Sequence, residues 1–75
     1  MSLRGYSFRL VEAIRAADPK HIGVRLGKYS IARDIPVTEI AEYFSVSRMT
    51  VYQWFTGAST PHKDKAEKIK QLLKG

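Results

Sequence analysis

Between residues 37 and 57 the chain reads VTEIAEYFSVSRMTVYQWFTG, and its apolar positions fall into two stripes: Ile40, Ala41 and Phe44, then Val51, Trp54 and Phe55. Apolar side chains three and four residues apart mark the face that a helix buries. Between the stripes, Ser45-Val46-Ser47 offers a polar bend, one apolar plug, and a serine placed to N-cap the second helix. The pattern predicts two short helices joined by a tight turn. Ala41 is small where the two axes would cross, since a larger side chain would hold them apart.

Three further helices are predicted around this pair. Over 7–17, with Ser7 as N-cap, Phe8, Val11 and Ile14 are spaced by three, and Leu10 and Ala17 extend the face. Asp18-Pro19 closes that helix and can open the next, because proline suits a first helical turn. Over 20–33, Ile22, Leu26 and Tyr29 form a stripe that Gly23 and Gly27 weaken, each costing about 1 kcal/mol against alanine. The two glycines read either as poor helix residues or as the close approach of another helix, the N-terminal one being the candidate. Asp34-Ile35-Pro36 supplies an N-cap candidate and a proline for the helix at 37. After the loop 56–61, with Gly57 as C-cap, a last helix over 62–73 carries Ala66, Ile69, Leu72 and Leu73, with a lysine face expected to be solvated. The segment 1–6 has no pattern and reads as flexible, and there is no repeat or low-complexity stretch. The fold class expected is all-α, one domain over 1–75, a compact bundle of about five short helices containing a helix-turn-helix.

Length and charge narrow the function. At 75 residues the chain is one small domain with a small core, and 44% hydrophobic residues suffice to fold it. No cysteine is present, which removes disulfides, thiolate metal sites and a cysteine nucleophile. His21 and His62 stand too far apart in sequence to pair on one helix face, the carboxylates show no paired spacing, and no serine has an identifiable catalytic partner. Neither metal, cofactor, small-molecule ligand nor catalysis is expected. No apolar run reaches the length of a membrane span and no signal peptide is evident, so a soluble protein is expected, and a small chain without disulfides suits a reducing cytoplasm. Net charge is +6 and the pI about 9.9, a balance that suits a polyanionic partner. From Tyr43 to Lys63 there is no acidic residue. A surface that approaches phosphates needs that gap.

Within that gap the face of the second helix opposite Val51 and Trp54 holds Arg48, Met49 and Gln53. Arginine bonds guanine bidentately, glutamine can read adenine, and methionine can meet a thymine methyl. These three are the candidates for base contact. Ser47, Thr50 and Tyr52 are assigned to phosphates or to capping, with Ser47 equally readable as a plain N-cap. Lys63 follows the loop at a distance suited to the DNA backbone.

The whole 37–57 stretch resembles the helix-turn-helix of the Cro/repressor family of phage and bacterial DNA-binding proteins. Counting from Val37, the family's small fifth residue, aliphatic tenth and fifteenth and bulky apolar eighteenth are matched by Ala41, Val46, Val51 and Trp54. Ser45 departs from the glycine favoured at the ninth place, where φ is often positive; serine there is strained, or the turn is shaped differently. Val37 departs as well, since the family often has a polar, phosphate-binding residue at that first place. Gly57 and Pro61 fall in the pattern that follows the motif, and the resemblance covers roughly 22–73.

The resemblance implies a lambda-repressor-like fold, a recognition helix over about 47–56, base contacts at Arg48, Met49 and Gln53, and a phosphate contact at Thr56. It also implies a homodimer that regulates transcription from double-stranded DNA. Two rivals stand beside that expectation. One is a DNA-recognition module of a phage recombination or packaging system, excisionase-like or a terminase small subunit. The other is a helical protein-interaction domain.

Overall fold

The computed structural model describes residues 6–74, which form five helices in the order α1 (Phe8–Ala16), α2 (Ile22–Ala32), α3 (Val37–Phe44), α4 (Arg48–Thr56) and α5 (Lys63–Lys74). Residues 1–5 of the segment read as flexible lie outside this range. The all-α class and the number of helices agree with the sequence pattern. No strand is found among the described residues.

α2 is the centre of the bundle, packed against α1, α4 and α5, while α3 packs against α4. The reason lies in its glycines. A Cβ on Gly23 would strike the carbonyl oxygen of Trp54 and lie 2.9 Å from its Cα, and one on Gly27 would lie 3.0 Å from Phe55 Cγ and 3.4 Å from Ile14 Cδ1. The close approach that the glycines permit is therefore by α4. The N-terminal helix, the candidate from the sequence, meets Gly27 through the tip of Ile14.

Side chains set the helix ends. Ser7 Oγ accepts from Leu10 N at 3.1 Å and starts α1. His21 Nδ1 accepts from Gly23 N at 3.0 Å and starts α2, so Asp18-Pro19 does not open that helix. Asp18 instead makes a turn, its Oδ1 accepting from Lys20 N at 2.9 Å. With Nδ1 accepting, the neutral ring carries its hydrogen on Nε2, which lies 3.3 Å from Thr60 Oγ1 and ties the loop before α5 to the start of α2.

Asp34 also differs from its reading as an N-cap. It takes φ +56° and closes α2, with Asp34 N donating to Ile31 O and Ile35 N to Ser30 O. This is the paired 5→2 and 6→1 bonding of a Schellman turn. Pro36 takes the N-cap place of α3, with no side-chain bond.

Two aromatic residues reverse their expected places. Tyr6 belongs to the core: it is fully buried, its ring stacks on Phe55 with centroids 6.2 Å apart, and its hydroxyl donates to Ile35 O at 2.7 Å. Burial raises the Tyr6 phenol to about 12, against a smaller lowering by the Ser30 hydroxyl. Phe8, expected on the buried face, is 70% exposed. Spacing by three falls short of the 3.6-residue turn by about 60° a step, so Phe8 lies about 120° from the fully buried Ile14. Leu10, Val11 and Ala17 pack beside Ile14 instead.

Candidate nucleic-acid interface

α3 and α4 are joined by a tight turn and by an edge-on ring contact. Ser45 has φ +58° and ψ +45°, so of the two expectations for this position the strained serine holds. Ser45 N donates to Glu42 O and Val46 N to Ala41 O, which repeats the Schellman pattern that ends α2. Glycine would adopt this backbone without a Cβ penalty. Val46, half-buried, packs against the core as the plug of the bend. Phe44 then meets Trp54 edge-on, centroids 5.8 Å apart and planes at 82°, while Tyr43 meets Phe44 at 4.9 Å.

Ser47 starts α4. Its Oγ accepts from Thr50 N at 3.2 Å and lies 3.0 Å from Thr50 Oγ1. Gly57, at φ +80°, ends the helix. Val51, Trp54 and Phe55 are buried, while Arg48, Met49 and Gln53 are exposed. Met49 and Gln53, about 40° apart around the axis, point away from the buried side. Arg48, one turn before Tyr52 and about 20° from the direction of Phe55, is exposed by its place in the first turn rather than by facing away from the core. Met49 is 65% exposed, and no ion pair or hydrogen bond among the described residues holds Arg48. The exposed side chains of this helix thus include one with five donors, at its start, and one with soft apolar surface.

The four other candidates on α4 and its cap are less free. A phosphate oxygen only accepts, so a residue that binds it needs a hydrogen to give. Ser47 and Thr50 share one hydrogen between them and keep the other available. Thr56 Oγ1 donates back to Tyr52 O at 3.0 Å, with a longer contact to Gln53 O, and must break that bond to reach a phosphate. Tyr52 is half-buried and packs against the core. Lys63 is exposed at the first position of α5. At the start of α3 no side chain caps the amides, yet Glu39 stands in that first turn and opposes an anion there.

Lys68 does more than contribute to a solvated lysine face. Its Nζ donates to Tyr43 O at 3.1 Å and lies 4.5 Å from the centroid of Tyr43 and 5.6 Å from that of Phe44. A cation thus satisfies a carbonyl at the C-terminal end of α3, where the helix dipole is negative. No local pattern signals this contact, because Tyr43 and Lys68 are 25 residues apart.

Comparison with family models, curated proteins and solved structures found no match to this chain. Among the described residues no three of His, Asp or Glu gather as a metal site, and no helix is long and apolar enough to cross a membrane.

Proposed function

We propose that this protein binds double-stranded DNA in a sequence-dependent way and acts as a small transcriptional regulator, with α4 in the major groove. The observation that carries the reading is a helix anchored by Val51, Trp54 and Phe55 with Met49 and Gln53 exposed on the opposite side and Arg48 exposed at its first turn. A helix fits the major groove, and its outward side chains meet base edges there. Arg48 is assigned to a guanine, Gln53 to an adenine and Met49 to a thymine methyl. The spare hydrogen of the Ser47–Thr50 pair and Lys63 are assigned to phosphates, which supply most of the affinity.

The α3–turn–α4 unit serves in this reading as a helix-turn-helix, and a homodimer on a palindromic site follows from the resemblance to the Cro/repressor family. A cytoplasmic, nucleoid-associated location goes with that role. The test is selection of bound sequences from random DNA duplexes near physiological salt. A palindrome with half-sites about 10 bp apart supports the dimeric regulator. Direct repeats favour a recombination or packaging module, and no enrichment favours a protein partner.

A further inference from the structure

α2 separates two surfaces of different charge. Gly23 and Gly27 mark the side of α2 that meets α4. Arg25 is two residues from each, and two residues turn a helix by about 200°, so Arg25 projects from the side facing away from α4. There Arg25 lines one open concavity of ≈ 260 Å³ with Lys70, Leu73 and Lys74 of α5. Lys28, one turn beyond Arg25, lines a second hollow of ≈ 380 Å³ with Arg15 of α1.

This surface is rich in cations. α2 has no acidic residue, and neither does the stretch 68–74. Among the described residues the ion pair at this surface is Lys70–Glu67 at 3.9 Å, with both side chains 60% exposed, and such a pair holds a lysine weakly. By contrast α4 carries a single cation, Arg48.

We propose that the α2–α5 face, with Arg25, Lys70 and Lys74 at its centre, binds the phosphate backbone of a second DNA duplex while α4 holds the first. This rests on the DNA reading above. A duplex docked on α4 lies across α2 from Arg25, and Lys70 and Lys74 line the same concavity as Arg25. Charges spread over an open surface suit a polyphosphate, whose bound counterions they release. Leu73 alone offers too little apolar surface to anchor a protein partner, whose hot spots are large buried side chains.

The test mixes two duplexes that carry the selected site and different dyes, and measures their co-diffusion with the full chain at about 50 mM salt, where phosphate contacts are strong. The wild-type protein joins the two colours. The triple variant R25E/K70E/K74E, with an unchanged helical spectrum and melting curve, still binds one duplex and loses the joining by about tenfold or more, as removal of several phosphate contacts requires. Joining that survives in the triple variant overturns the proposal, since two α4 helices of a dimer would then account for it. Binding that Arg48→Ala weakens, without any joining by the wild type, overturns the second surface and leaves the α4 reading in place. Binding that Arg48→Ala leaves intact and the triple variant abolishes overturns both: the α2–α5 face is then the sole DNA site.

Discussion

The carbonyl carbon of Trp54 lies 2.8 Å from where a Cβ on Gly23 would stand, so the backbones of α2 and α4 touch at this point. The contact seats the helix that carries Arg48, Met49 and Gln53. It also separates the two α2 glycines. Gly23→Ala meets backbone that cannot yield without moving α4, and a loss of about 2–3 kcal/mol is expected, as for other overpacked sites. Gly27→Ala meets the Phe55 side chain at 3.0–3.2 Å, which can give a little. Alanine's gain in helix propensity, about 1 kcal/mol, then offsets most of the cost. Urea denaturation of the two variants should show this difference, and equal losses would remove the backbone contact as the cause.

Tyr6 makes stability depend on alkaline pH. Its folded phenol titrates at about 12, above the ordinary value near 10 of an unfolded chain. The fold therefore favours the neutral form: the stabilisation is complete below pH 10 and is lost as pH rises towards 12. Two units correspond to roughly 2–3 kcal/mol. Tyr6→Phe loses the bond to Ile35 O, about 1 kcal/mol at neutral pH, but escapes the alkaline loss. Wild type should fall relative to Tyr6→Phe between pH 10 and 12 in denaturation curves. Parallel curves would show that Tyr6 ionises as freely in the fold as outside it.

Tyr6 and Phe8 also mark how far the sequence could be read. The helices around Ile40, Phe44, Val51 and Trp54 were legible because their apolar residues follow the 3.6-residue period and serine and glycine stand at the ends of α4. The same period misleads for Phe8, where three-residue spacing drifts off the face. Tyr6 lies outside any helix, so periodicity says nothing of it; its place depends on Phe55 and on Ile35 O, both distant in sequence. Asp34 ends α2 rather than starting α3 for a related reason. The same residue type that caps a helix start also tolerates the left-handed backbone that ends one. In the candidate interface, the outward placement of Met49 and Gln53 follows from the stripe, whereas Arg48 lies seven residues before the buried Phe55 and is exposed because it stands in the first turn. The bond from Thr56 to Tyr52 O and the Lys68 clamp on Tyr43 leave no signal in the apolar pattern.

Ser45 holds the turn before α4 at a cost. An L-residue in the left-handed region is unfavourable by about 1–2 kcal/mol, and glycine removes that term while adding unfolded-state entropy of about 0.4–1 kcal/mol. Ser45→Gly should raise stability by about 0.5–1 kcal/mol, seen as a higher melting temperature, with DNA binding unchanged. A destabilised variant would mean that the Ser45 side chain contributes something its backbone geometry does not reveal.

Ser47 and Arg48 are adjacent, yet their substitutions should separate stability from binding. Ser47→Ala removes the oxygen that accepts from Thr50 N, and loss of such a cap costs about 1 kcal/mol in folding. Arg48 is exposed and bonded to nothing among the described residues, so Arg48→Ala should change stability by no more than about 0.5 kcal/mol. On the selected duplex the order reverses. Arg48→Ala should lose about 1–3 kcal/mol and relax preference at one base position, whereas Ser47→Ala should weaken all duplexes alike through a lost phosphate contact. Binding isotherms on the selected and a scrambled duplex, beside melting curves of the same samples, decide between them. If Arg48→Ala weakens both duplexes equally, Arg48 holds a phosphate and the base preference must come from Met49 and Gln53.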